Sequence, residues 1–138
     1  MRVEFYVLPS ADPVARLRAA CQLALKAWIA GFAVFIRGQD DAQCQSLDEL
    51  LWHFKAERFV PHALHSEQAD APVVIGTQQA PSTEQGVLLN LAQDLSPHLP
   101  KFSRVIEVVN QEPQLLNACR ENFRAYRQRG YDPQRVEL

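Results

Sequence analysis

Apolar residues along the chain form short continuous runs that alternate with longer stretches of helical spacing. The segment "VEFYVL" at residues 3–8 is β-branched and aromatic, which predicts a strand. Asp12 and Pro13 then supply an N-cap and a favoured first helical residue, and Gly31 ends the helical stretch. The next run, "FAVFIRG" at residues 32–38, is typical of a strand covered on both faces. The pattern therefore predicts a strand, a helix and a second strand.

The alternation continues toward the C-terminus. Asp40 or Asp41 caps a second predicted helix that extends to about His53, and residues 55–72 lack periodicity, which predicts a long surface connection. Three more strands are predicted, followed by a last helix that Pro113 opens and Gly130 closes. These strands are "PVVIGT" at 72–77, "GVLLNLA" at 86–92 and "RVIEVVN" at 104–110. Strands alternating with helices predict an α/β layer fold with a largely parallel sheet.

Composition narrows the class of protein. The 138 residues fit one domain, and 47% hydrophobic with 22% charged residues is an ordinary globular composition. A net charge of −2 argues against bulk electrostatic coating of nucleic acid. Cys21, Cys44 and Cys119 lack metal or redox spacing and predict buried thiols in a reducing compartment, with the cytoplasm as the expected location. No signal-peptide pattern or membrane span is present in the sequence.

Catalytic and cofactor motifs are absent from the sequence. The first strand-to-helix turn, "LPSADP", has no glycine, and there is no nucleotide-binding, nucleophile-elbow or zinc motif. His62, His65 and Glu67 are the best metal candidate, but we favour exposed loop histidines. His53 and His98 are interpreted as surface residues rather than acid–base catalysts. We therefore expect no catalytic residue, no metal and no cofactor.

Aromatic residues cluster beside the predicted surface connection. Trp52 lies on the far side of its helix from the apolar face that continues to Phe54. Together with Phe59, Val60 and Pro61, Trp52 forms either a partner-binding patch or part of an ordinary core, and the pattern favours neither.

The last helix carries two adjacent stripes within "CRENFRAYRQRGYDP" at residues 119–133. One stripe is apolar (Leu116, Cys119, Phe123 and Tyr126), and the other is basic (Arg120, Arg124 and Arg127). Three interpretations stay open: a solvated amphipathic helix, a site for a peptide ending in an aromatic residue and a carboxylate, or a platform for single-stranded nucleic acid.

Three segments in this order, "VEFYVL", "LDELLWHF" with "RFVPHAL", and "CRENFRAYRQRGYDP", resemble the chi subunit family of the bacterial DNA polymerase III holoenzyme. The resemblance covers essentially the whole chain. It implies a single chi-like domain over residues 1–138, with a Rossmann-like three-layer fold, a mostly parallel central sheet and no nucleotide-binding function. It also implies a non-catalytic clamp-loader accessory protein that bridges the psi subunit to the acidic C-terminal tail of single-stranded DNA-binding protein.

The resemblance implies two sites on this chain. Arg120 is expected to bind the terminal carboxylate of the tail, and Leu116 replaces an expected lysine at the rim. The other residues expected at the tail site are Val109 and Phe123, which would line a pocket for the terminal ring, and their neighbours Arg124, Tyr126 and Arg127. The psi-binding residues are expected to be Trp52, Phe59, Val60 and Pro61. DNA would be reached only indirectly, through partners.

Two other functions stay open at this point. A small α/β enzyme would bind a nucleotide-like ligand at the carboxyl ends of the strands. A direct single-stranded DNA-binding protein would stack bases on Phe123 and Tyr126.

Overall fold

A computed structural model describes residues 1–53 and 60–138 of the chain. Among these residues are the three predicted helices and the five predicted strands, together with two further strands. In chain order they are β1 (Arg2–Val7), α1 (Pro13–Ile29), β2 (Val34–Arg37), α2 (Asp41–His53), β3 (His62–Leu64), β4 (Val73–Gly76), β5 (Gly86–Asn90), a 3-10 helix (Leu99–Lys101), β6 (Phe102–Val109), α3 (Pro113–Gln128) and β7 (Gln134–Glu137).

The strands form one seven-stranded sheet in the order β3-β4-β2-β5-β6-β1-β7, and every pairing is parallel. Successive side chains of a strand point to opposite faces, and this alternation builds two cores. Ile36 packs in a core with residues of α1 and α2, whereas its neighbour Phe35 packs in the core that includes Tyr126 of α3. The predicted three-layer α/β fold with a parallel sheet is therefore confirmed.

Local sequence signals position the helices. The Asp12 carboxylate accepts a hydrogen bond from the Val14 amide at 3.0 Å, which caps α1. Asp40 plays the same part for α2, where its carboxylate accepts from the Gln43 amide at 2.8 Å. Gly31 follows α1 with a φ of +96°, a conformation that favours glycine. None of the described helices is both long and apolar enough to cross a bilayer.

Two strands were not predicted, and both are edge strands. β3 lies inside residues 55–72, so the prediction of an uninterrupted surface connection there is wrong. β7 follows Pro133, which the sequence pattern treats as a stop. Edge strands pair on one side only and need little apolar patterning, and β7 accordingly contains one apolar residue, Val136.

Candidate functional site

Helix α3 is held at both ends by hydrogen bonds that the sequence encodes. The Glu112 carboxylate accepts from the Leu115 amide at 3.0 Å, and Pro113 opens the helix. At the other end Gly130 has a φ of +90°, its amide bonds to the Arg127 carbonyl, and the Tyr131 amide bonds to the Tyr126 carbonyl. This is a Schellman motif, and it turns the chain back so that β7 pairs with β1.

A groove of about 410 Å³ lies between α3 and the β1–β7 edge of the sheet. Its floor includes Phe5 and Val7 of β1, and the Phe5 and Phe123 rings lie 5.3 Å apart, centroid to centroid. The groove is lined by Phe5, Val7, Cys119, Arg120, Phe123, Arg124, Arg127 and Arg135. An aromatic floor is thus surrounded by four arginines.

The arginines of α3 are not neutralised by the protein itself. Within the described residues no carboxylate forms an ion pair with Arg120, Arg124 or Arg127. The Arg120 guanidinium donates only to the Asn117 side-chain carbonyl at 3.2 Å, and the Arg127 guanidinium lies 4.8 Å from the centre of the Phe123 ring. The groove therefore has a locally positive rim on a chain with a net charge of −2, which suits an anionic ligand with an apolar group.

Four of the six residues predicted for the tail site line this groove: Arg120, Phe123, Arg124 and Arg127. The other two lie behind it. Tyr126 is 0% exposed and Val109 is 6% exposed, and both pack in the core beneath α3. Tyr126 therefore offers no surface to a ligand, and it supports α3 from below.

Sequence reasoning missed the part of the groove that belongs to the sheet. Phe5 and Val7 come from the first strand and Arg135 from the last, and the pairing of β7 with β1 brings Arg135 beside them. Strict alternation along β1 was the one available signal, since Phe5 and Val7 share a face. Cys119, which belongs to the predicted apolar stripe of α3, lines the groove.

Beneath α3 lies a buried carboxylate, Glu107 of β6, which is 3% exposed. Its Oε2 accepts a hydrogen bond from the Tyr126 hydroxyl at 2.6 Å, and both carboxylate oxygens lie 3.0 Å from the Asn90 amide nitrogen. Arg37 donates in turn to the Asn90 side-chain carbonyl at 3.3 Å. These bonds tie α3 to β6, β5 and β2, and so fix the wall of the groove on the centre of the sheet.

Burial raises the pKa of the Glu107 carboxyl to about 7, although hydrogen bonds from Tyr126 and Asn90 and the charges of Arg37 and Arg16 oppose the shift. The Glu107 carboxyl therefore binds its proton more tightly in the folded protein than in the unfolded chain, and protonation of Glu107 stabilises the fold. This contribution to the free energy of unfolding is complete below about pH 4.5 and is lost as the pH rises through about 7.

Replacing Glu107 with glutamine should remove this pH dependence. We expect the free energy of unfolding, measured with urea, to fall in wild type between pH 4.5 and pH 8 by roughly 3 kcal/mol more than it does in Glu107→Gln. This difference follows because each pKa unit corresponds to about 1.4 kcal/mol. Glu121→Gln, at an exposed position of α3, controls for the lost negative charge. If the free energy of unfolding depended on pH in the same way in wild type and Glu107→Gln, Glu107 would not be the group responsible.

The carboxyl ends of the central strands, where α/β sheets often bind nucleotides, are filled by side chains. The buried Arg16 guanidinium donates to the Val108 carbonyl at 2.8 Å and to the Leu91 carbonyl at 2.7 Å. The cavity that remains beside Arg16 and Glu107 has a volume of about 10 Å³. That is room for about one water molecule, so no nucleotide fits there.

A second feature lies at the opposite edge of the sheet, around Trp52. Its side chain is 56% exposed, and its ring packs edge-on against the His62 ring at 4.9 Å. Of the residues predicted to share its patch, Val60 is fully buried in the core, Pro61 is half-buried, and Phe59 lies outside the described residues. Trp52 is therefore the one described member of the predicted patch with a largely exposed side chain.

Of the two histidines predicted to be exposed in a loop, His65 follows β3 and is half-buried, and His62 departs further from the prediction. His62 begins β3 and is 9% exposed, its Nδ1 donates to the Val60 carbonyl at 2.6 Å, and its Nε2 lies 3.4 Å from the Asp48 carboxylate. Pairing with β4 buries the ring, so the interpretation of His62 as an exposed loop residue is wrong. Within the described part of the chain, no three His, Cys, Asp or Glu side chains form a cluster that could bind a metal ion.

Burial raises the pKa of each of the three thiols. Cys21 and Cys44 are buried and Cys119 is half-buried, so two of the three cysteines are as buried as predicted. Burial raises the pKa of the Cys21 thiol to about 12 and also raises the pKa of Cys44 and Cys119. Cys119 therefore contributes a neutral thiol to the groove.

Comparison with known proteins gives one consistent result. Residues 1–134 match the family described as DNA polymerase III chi subunit, HolC. The chain is 48% identical over 130 residues to DNA polymerase III subunit chi of Pseudomonas aeruginosa, covering 94% of this chain and 92% of that protein. It is 34% identical over 135 residues to the subunit of the same name from Escherichia coli K12, covering 93% of this chain and 92% of that protein.

The match to the family spans nearly the whole chain, and both relatives are covered almost end to end. The resemblance inferred from the three sequence segments is thereby confirmed. This chain belongs to the DNA polymerase III chi subunit family, and it is a non-catalytic accessory subunit of that holoenzyme.

Proposed function

We propose that this chi subunit is an adaptor that binds the C-terminal tail of single-stranded DNA-binding protein in the arginine-rimmed groove and the psi subunit at the Trp52 edge. The observation that carries the proposal is the groove itself. Its floor is aromatic, and three of its four arginines, Arg120, Arg124 and Arg127, have no acidic partner in the described structure. An acidic peptide that ends in an aromatic residue complements both features.

Arg120 is the residue we assign to the terminal carboxylate. Arg120 is exposed, lines the same groove as Phe123, and among the described residues has only the Asn117 carbonyl as a hydrogen-bond partner. A guanidinium can donate two parallel hydrogen bonds to one carboxylate. The terminal ring would then lie against Phe123 and Phe5, while Arg124 and Arg127 attract acidic side chains upstream of it.

Val109 and Tyr126 act in this proposal without touching the ligand. Val109 packs in the core behind the groove, and Tyr126 holds α3 through its hydrogen bond to Glu107. Their role is to keep Phe123 and the arginines in position.

The Trp52 edge is the surface we assign to psi. A large aromatic side chain that is exposed at the surface of a helix is the kind of residue that dominates protein–protein binding energy. Trp52 belongs to α2, which contacts β3 at one edge of the sheet, whereas the groove adjoins β7 at the other edge. Six strand spacings separate these edges, or roughly 30 Å. The two partners can therefore bind at the same time, as a bridge requires.

Native mass spectrometry of the full chain with purified psi and a synthetic tail peptide tests the bridging function. We expect a ternary complex with one copy of each component, and no loss of psi as the peptide concentration rises. Displacement of psi by the peptide, or binding of a single-stranded oligonucleotide with no tail peptide at physiological salt, would contradict the proposal.

A further inference from the structure

We infer that β7 forms the second wall of the tail groove and that Arg135 of β7 binds an acidic side chain of the bound tail, upstream of the C-terminal residue of the tail. In the free protein the Arg135 guanidinium pairs with Glu137 instead. This inference deepens the proposed function and rests on it. It adds a specificity-determining residue outside α3, on a strand that the sequence pattern did not predict.

The pairing of β7 with β1 places Arg135 in the groove. Arg135 is directly opposite Phe5 in the parallel register, and paired residues of neighbouring strands project to the same face of a sheet. Phe5 lies on the face covered by α3, where its ring contacts Phe123. Arg135 accordingly lines the groove across from Arg120, Arg124 and Arg127.

Arg135 differs from the three arginines of α3 because it has an acidic partner. Its Nε donates to Glu137 Oε1 at 2.6 Å, and the two side chains are 60% and 67% exposed. They are two residues apart on one strand and therefore share a face. Such an exposed pair is weak, so a ligand carboxylate can replace Glu137 at little cost.

The charged groups on the α3 wall and on the β7 wall together indicate the class of ligand. With the terminal carboxylate at Arg120, a peptide in the groove has guanidinium groups on its α3 side and one more on its β7 side. Acidic side chains that project alternately along an extended peptide can reach both walls. Glu137 places a negative charge beside Arg135, so the β7 wall has little net positive charge. A ligand is therefore selected by whether one of its carboxylates can pair with Arg135, and not by general attraction to positive charge. This favours an acidic peptide over nucleic acid.

A fluorescence titration of the full chain with two labelled ten-residue peptides tests the inference. Both peptides end in phenylalanine with a free carboxylate; one carries aspartates upstream, and the other carries asparagines at those positions. Arg135→Ala should weaken binding of the aspartate peptide about fivefold and leave the asparagine peptide unchanged. Glu137→Gln should tighten binding of the aspartate peptide about twofold because the competing carboxylate is gone.

The controls separate this inference from the proposed function. Arg129→Ala removes an exposed arginine that does not line the groove and should bind both peptides as wild type does. If Arg120→Ala abolishes binding while Arg135→Ala binds the aspartate peptide as wild type does, or weakens both peptides equally, the role of β7 is overturned and the proposed function stands. If wild type binds neither peptide, both are overturned.

Discussion

Replacing Arg120 with alanine should weaken binding of the tail of single-stranded DNA-binding protein by about 2 to 3 kcal/mol, or roughly 30- to 150-fold. The loss is large because the substitution leaves the terminal carboxylate of the peptide without its paired hydrogen bonds at a site lined by aromatic rings. Isothermal titration calorimetry with a synthetic tail peptide measures it directly. The same variant should unfold at the wild-type urea concentration, since Arg120 is exposed and, within residues 1–53 and 60–138, donates only to Asn117.

Arg129→Ala is the matched control for Arg120→Ala. Arg129 follows the same helix and is exposed, but it does not line the groove. It should retain wild-type affinity for the peptide, and a similar loss in both variants would show that only the general positive charge matters.

Binding of the tail peptide to wild type should also weaken as the salt concentration rises, because Arg124 and Arg127 attract acidic side chains from the rim.

Replacing Trp52 with alanine should cost the complex with psi about 2 to 4 kcal/mol, the range of aromatic hot spots. The indole is 56% exposed in the free subunit and packs edge-on against His62, so it is both accessible and held in place. Loss of psi in a co-purification, followed by titration of the purified subunits, measures the effect. Tail-peptide binding should be unchanged in this variant, since the groove lies at the opposite edge of the sheet.

Phe32→Ala provides the control for an exposed aromatic residue elsewhere on the surface. Phe32 is 45% exposed and lies in the connection between α1 and β2, outside α2 and β3. It should bind psi as wild type does. Equal loss in Phe32→Ala and Trp52→Ala, or wild-type affinity in Trp52→Ala, would contradict the assignment of psi to the Trp52 edge.

The helices and central strands could be predicted from local signals because those signals are strong and physical. Caps at Asp12 and Asp40, Pro113 at the start of α3 and Gly130 after its end each act on nearby backbone groups. The central strands are buried on both faces, and their continuous apolar runs reflect this. β3 and β7 escaped prediction because edge strands are held by backbone pairing with a neighbour that no local pattern reveals.

The α3 wall of the groove could be predicted, and the sheet wall could not. Helical phase places Arg120, Arg124 and Arg127 on one side of α3, and the structure has them together in the groove. The apolar stripe predicts that Tyr126 and Phe123 share one surface. Tyr126 faces the core, where the buried Glu107 accepts its hydroxyl, and Phe123 lies at the boundary. The buried position of Tyr126 thus depends on Glu107 of β6, a residue that the local pattern of α3 does not include.

The most direct test of the central claim compares a tail peptide with a free C-terminal carboxylate and the same peptide with a C-terminal amide, each titrated into wild type and Arg120→Ala. If Arg120 binds the terminal carboxylate, amidation should weaken binding to wild type by about as much as the substitution does, and it should cost the variant little more. Amidation that weakens binding equally in both proteins would contradict the account.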